Sequence, residues 1–447
     1  MKQLFRTFLF FLLLGCSQTD FSDFPFLPPV IGNWERVQTF GGSLEDIAHS
    51  VRTTSDNGFV IIGNTESTDG DFSGKNRAGS DYFLMKFDAN FQLEWTQTYG
   101  GSKDDRGHDV VQLSDGGYAL IGYSMSADGD ATLNQGQHDN WLIRTDSQGT
   151  LLWQKSFGFL GHDHAYNIIT TSDGGLFFNG YLDVTASKGE GQEGKVENKS
   201  SRHGVGEFWC HKLDKDGNLE WRRYYGGSNN DRSYDAIETK NGDFILVGAT
   251  ESQDVDVSDP KGGYDFWVLK INRSGELLWE RSIGGSGYDT AKAVVETSTG
   301  DYLIAGQTYS QDFDILDPKG SSDILFAWVS PEGVLKKTVT IGDRGFETLN
   351  ALVEREDGTL VAVGHQSSNA LSLEEEYTLK NDVLLVYTLA NGEVLSSHTL
   401  VGNGLDLGEA LSNFSNGKIL VVGSTESTSG DFQNSKGGKD LFIAVWN

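Results

Sequence analysis

One phrase recurs seven times in this chain, and the repetition constrains the fold more than any other feature. Trp34, Trp95, Trp153, Trp221 and Trp279 are spaced by 61, 58, 68 and 58 residues, and the same slot then falls at Lys337 and Ser396. After each slot comes a glycine-rich phrase: FGGSLED, YGGSKDD, YGGSNND and IGGSGYD, with looser copies FGFLGHD, IGDRGFE and VGNGLD. The phrases end on Asp46, Asp105, Asp163, Asp231, Asp289, Glu347 and Asp406, and twelve residues beyond each lies an apolar run such as FVIIGNT or YALIGYS, with no gap in any copy. A period of this length means a stacked or closed repeat architecture.

Each copy reads as four short strands; in the second they are HDVVQL, YALIGYS, NWLIRTD and LLWQKSF. Ser114-Asp-Gly-Gly117 joins the first two, where glycine supplies a positive φ, and Asp146-Ser-Gln-Gly149 joins the last two. Asp214-Lys-Asp-Gly217 repeats that second turn and lacks the further liganding positions of a calcium loop. Seven four-stranded units of about 60 residues predict an all-β, seven-bladed β-propeller over residues 33–447. The last copy ends on its third strand, Asp440–Asn447, and a matching fourth strand, Trp34–Phe40, stands ahead of the first copy. Pairing the two closes the ring and leaves no open edge.

Composition agrees. The chain has 447 residues with 56 Gly, 6 Pro, 10 Trp, 15 Tyr and 26 Phe, too aromatic for disorder and without the glycine period of collagen. Thirty-five basic against 64 acidic residues give a net charge of −29, which repels nucleic acid, so none is expected as a partner. Two cysteines, Cys16 and Cys210, exclude a disulfide scaffold, and Cys210 is expected in the core of a third strand.

Residues 1–15, MKQLFRTFLFFLLLG, place Lys2 and Arg6 ahead of an apolar run too short to span a bilayer, the pattern of a signal peptide. Leu13-Leu14-Gly15-Cys16 resembles the bacterial lipoprotein box, which implies lipidation of Cys16 and a membrane anchor. Ser17, in place of the Asp that retains such proteins at the inner membrane, implies the outer membrane, on its periplasmic or cell-surface side. Residues 16–32 form the lipidated cysteine and a polar, proline-bearing tether.

The GGSxxD, DGG[FY] and DxW marks over residues 33–447 resemble bacterial propeller repeats common in secreted and lipoprotein sequences. The pair LIRTDSQGTLLW is also similar to the quinoprotein-type repeat, whose family includes an outer-membrane lipoprotein that acts as a scaffold in barrel assembly. Neither resemblance implies a reaction.

The long links between second and third strands share one face with the blade-to-blade links. From Gly63, Gly122, Gly180, Gly248, Gly306, Gly364 and Gly423 to the next strand-three acid they run 18, 17, 27, 17, 17, 18 and 17 residues. Long loops on a rigid scaffold are where binding occurs, so this face is the candidate site. Three features lie there. The seven carboxylates from Asp46 to Asp406 read either as an acidic mouth or, preferably, as braces that hydrogen-bond their own turns. The pairs Asp69/Asp71, Asp128/Asp130, Asp254/Asp256 and Asp312/Asp314, with Asp431 as half a pair, read as loop braces or as calcium ligands. The oversized third loop, roughly 186–207, reads as a linker or a partner-binding arm.

No HExxH, GxSxG or P-loop signature is present. His162-Asp163-His164 and Cys210-His211 are read as strand neighbours facing opposite ways, and so as poor partners for one metal. No cofactor is expected beyond calcium. The expected function is a non-enzymatic, lipid-anchored envelope platform that binds a protein or glycan on its long-loop face. The alternative is a glycosidase or lyase using carboxylates of that face.

Overall fold

The structure, a computed structural model, describes residues 32–192, 203–367 and 380–447. Cys16, the signal peptide and nearly all of the tether lie outside the described residues. So does the middle of the oversized loop; that loop opens with a helical turn, Val184–Ser187, and ends on Glu207, already the first residue of a buried strand.

Among the described residues the strands form seven four-stranded antiparallel sheets, each running outward in chain order except the last. In that last blade Trp34–Phe40 pairs with Asp440–Trp446, setting Trp34 opposite Trp446 and Phe40 opposite Leu441. The ring closes as the repeat arithmetic predicts. A seven-bladed propeller is thus the fold of the chain.

The second and third strands read as continuous apolar runs because each is covered on both faces by neighbouring blades. In the first blade Phe59–Thr65 and Asp81–Phe87 are buried from end to end. Their side chains pack across the junction, with Val51, Phe59 and Ile61 against Leu420, Val422 and Ile443 of the closing blade. Each such side chain contributes about 1.5–3 kcal/mol by leaving water. The outer-strand tryptophans serve the next blade. Gly217 turns at φ +74°, and a Cβ there would meet the Trp153 ring at 2.5 Å, so the indole seats on a turn that only glycine admits.

The innermost strands line the axis. Each carries a β-bulge at the residue three beyond the repeated carboxylate: His49, His108, Tyr166, Tyr234, Lys292, Asn350 and Glu409. The extra residue is left outside the ladder, and these seven side chains share one axial cavity.

Candidate functional site

The long-loop face is built by one device used repeatedly. In the second blade the Gly101 amide donates to Asp105 at 2.7 Å, the Ser126 hydroxyl at 2.8 Å, and the Ser124 hydroxyl as well. Asp46 is held by Gly42, Thr65 and Ser67, and Asp231 by Gly227, Thr250 and Ser252. Asp289 accepts from Gly285 and Ser310, and Asp406 from Thr425 and Ser427. The looser copies keep less: Asp163 takes the Phe159 and Asp183 amides, Glu347 the Asp343 amide. All seven are buried.

The paired acids latch the same turns from outside. Ser102 donates to Asp128 at 2.8 Å and Gly100 to Asp130 at 3.2 Å. Asp69 and Asp71 take the amides of Ser43 and Gly41, Asp254 and Asp256 those of Ser228 and Gly226, and Asp312 and Asp314 those of Ser286 and Gly284. Asp431 keeps the second contact alone, to Val401. These contacts account for the double glycine. A Cβ on Gly100 would strike Asp81 and Asp105, and one on Gly101 would strike Asp128.

A second set of acids, unrecognised in the sequence as site residues, heads the third strands: Asp81, Asp139, Glu207, Asp265, Asp323, Asp382 and Asp440. Each faces the first set across the turn, so two carboxyls share every junction. Burial, with like charge opposite, pushes Asp81 and Asp265 up to about 6. Burial likewise carries Asp231 and Asp406 to about 6 and Glu347 to about 7. The signal that could have found them was periodic: an acid recurs at the head of every third strand.

Along the axis, Arg52 forms a 3.0 Å ion pair with Asp109, which also accepts from Ser50, Asn167 and the Ile168 amide. Asn167 goes on to Asp235, whose other oxygen takes the Val294 amide at 2.9 Å. Both carboxylates are therefore spent on structure. The ammonium of Lys292 lies 3.5 Å from the centre of the Tyr234 ring, and burial lowers its pKa to about 8. The cavity between these groups holds about 150 Å³.

Two features of the face depart from the repeat. Tyr264, Tyr288 and Tyr309 form an aromatic ladder at strand ends of the fourth and fifth blades, with ring centres 5.0 and 6.1 Å apart. In the adjoining loop Phe313 and Leu316 are 63% and 78% exposed. The other feature corrects the sequence reading of the histidines. His162 and His164 are two residues apart, not adjacent, with His162 in an isolated bridge and His164 at the head of its strand, and His138 meets both from the blade before. The ligand atoms of these three lie within 4.8 Å of one another, the one such grouping of metal-binding side chains among the described residues. Cys210 and His211 are buried in the third strand of blade three, with His211 stacked on Phe178.

No family model matches the chain. It is similar to the regulatory protein FlaEY of Caulobacter vibrioides, 22% identical over 366 residues, which cover 74% of this chain and 37% of that protein. The chain thus spans little more than a third of that relative's length. Among solved structures it is similar to the Pan2 WD40 domain of Neurospora crassa, at 10% identity and TM-score 0.46, over 92% of this chain and 94% of that one. It is also similar to BBS1N, solved in complex with ARL6DN, at 10% identity and TM-score 0.48, over 94% and 98%. A third is puromycin hydrolase, at 10% identity and TM-score 0.46, over 87% of this chain and 53% of that one.

Proposed function

We propose that this protein is a non-enzymatic binding platform of the cell envelope, anchored in the outer membrane through a lipid on Cys16, which engages a protein partner with its long-loop face. The observation that carries the reading is the ladder of half-buried Tyr264 with exposed Tyr288 and Tyr309, and the exposed Phe313 and Leu316 beside it. Tyrosine offers large contact area at low entropy cost and anchors interfaces. The loops that carry the paired acids are braced by carboxylate–amide contacts, the Phe313 loop among them, so little ordering of these loops is left to be done on binding. The similarity to a protein named as regulatory sits well with a binding role. A glycan stacked on the same tyrosines is the other ligand class this surface suits.

The enzymatic alternative needs two carboxylates free to act beside a cation. Of the three acids of the axial cavity, Asp109 and Asp235 are instead committed to hydrogen bonds with Arg52, Asn167 and backbone amides, which leaves Glu409, accepting from Asn350 at 3.3 Å, without a second free carboxylate beside it.

A photo-crosslinking residue in place of Tyr288 or Phe313 tests this in whole cells. A discrete protein adduct is expected there and not from the opposite-face turn at Asn90. Adducts at all three positions alike, or at none, would refute the platform. For the anchor, Cys16→Ala is expected to leave the protein out of the membrane fraction or unprocessed; a processed form that still sediments with membranes would refute lipidation.

A further inference from the structure

The chain has nine histidines, and three of them occupy three different positions of the repeat at a single blade junction. At every junction the residue before a third strand lies beside the residue that precedes the repeated acid. The backbone pairs are Glu45 with Lys439, His138 with His162, Gly206 with Asn230, Tyr264 with Tyr288, Ser322 with Phe346, and Asn381 with Leu405. In the remaining junction Ser80 accepts the Asp105 amide, as His138 accepts that of Asp163. The third position, directly after the repeated acid, reads Ile47, Arg106, His164, Arg232, Thr290, Thr348 and Leu407. The repeat is an internal control: its backbone geometry needs no histidine at any of these places, yet one junction has all three.

The rings converge. His138 Nδ1 lies 2.6 Å from His164 Nε2 and 3.1 Å from His162 Nδ1. One nitrogen facing two others cannot satisfy both by hydrogen bonding, since it carries either one proton or one lone pair. A cation that accepts three lone pairs resolves the conflict. Zinc with Zn–N bonds of about 2.0–2.1 Å sets tetrahedral ligand atoms about 3.3 Å apart, a spacing that small side-chain rotations reach from here.

The surroundings fit a ligating set. Tyr123 packs on His138 and His164 with ring centres 4.6 and 4.1 Å away, and Tyr181 covers His164 at 4.8 Å. The Tyr166 hydroxyl lies 3.5 Å from His164 Nδ1, the nitrogen turned away from the cluster, as an outer-shell acceptor that selects the tautomer. His138 and His164 are half-buried and His162 is exposed, which leaves an entry path. Arg106 and Arg232 bring positive charge towards His164, which an anionic fourth ligand from solvent would offset.

We propose that His138, His162 and His164 form a three-histidine site for a divalent transition metal of the zinc class, which staples the second and third blades at the mouth of the propeller. The site is separate from the aromatic ladder two junctions away, and its test does not depend on any partner.

The test is a titration of the metal-stripped full chain, held in mild detergent, with Zn²⁺ by calorimetry and with Co²⁺ by visible absorption. One Zn²⁺ per chain is expected at micromolar affinity or better, and cobalt should develop the strong visible bands of low-coordinate nitrogen ligation. His162→Gln, at an exposed position that leaves the core untouched, should weaken binding about 100-fold, and His164→Gln should do the same. Far-ultraviolet dichroism of each variant checks that the ring is intact; if His164→Gln does not fold, His162→Gln alone decides. No saturable binding below about 100 μM, or binding that His162→Gln leaves unchanged, would overturn the site.

Discussion

The amide of Gly227 donates to Asp231 at 2.8 Å, closing the glycine turn on the acid four residues later. Thr250 and Ser252 add their hydroxyls to the same carboxylate. A hydroxyl can rotate to accept instead of donate, whereas the Gly227 amide cannot. Asp231→Asn should therefore be mild, keeping one oxygen for that amide. Asp231→Ala strands buried donors and should cost about 1–3 kcal/mol in urea unfolding. Added calcium should leave the melting temperature of the parent unchanged. A calcium-dependent rise abolished by Asn would make the acid a metal ligand.

Glu347 gives the pH dependence its sign. Burial raises its carboxyl to about 7 from the ordinary 4.5. Between those values the folded chain keeps a proton that the unfolded chain releases, so the stabilisation is whole below pH 4.5 and is lost as pH rises through 7. Melting curves of the parent and Glu347→Gln at pH 5, 6, 7 and 8 isolate the group. The parent should lose about 1–3 kcal/mol relative to the variant across that range. A constant difference, or one that grows in the parent's favour with pH, would contradict the assignment.

Trp153 and Gly217 predict a coupled packing defect. Gly217→Ala places a Cβ at positive φ and against the indole, and should cost about 1–2 kcal/mol from the backbone alone. In Trp153→Ala the steric part disappears, so the glycine substitution should cost less in that background. A double-mutant cycle in urea measures the difference, and strict additivity would mean that the two do not touch.

Much of this was legible in the sequence. Seven ungapped phrases and a misplaced fourth strand define the propeller and its closure, down to Trp34–Phe40 beside Asp440–Trp446. The local braces were legible as well, since Asp231 and Gly227 are four residues apart. What was hidden depends on contacts between blades. His138 lies 24 residues before His162, and only the backbone bridge across the junction joins them. The strand-three acids, such as Asp81, acquire their partners through burial against Asp105, which a linear pattern does not display. The tyrosine ladder likewise comes from three separate strand ends.

Ring closure can be tested by removal. Without residues 33–40 the strand Asp440–Trp446 becomes an open edge, and the contact of Trp34 with Trp446, ring centres 5.2 Å apart, is lost. The shortened protein should melt well below the parent and be cut by protease in its last blade first. Unchanged melting would mean that the ring does not depend on this strand.

The central claim is that the long-loop face, through its aromatic ladder, holds an envelope partner. Three full-length proteins decide it: the parent, a long-loop variant with Tyr288→Ser and Phe313→Ser, and an opposite-face variant with Lys215→Ala and Asp216→Ala. Quantitative affinity capture from crosslinked envelopes should recover the same component with the parent and the opposite-face variant, and about tenfold less with the long-loop variant. Equal recovery by all three, or a loss confined to the opposite-face variant, would contradict the account.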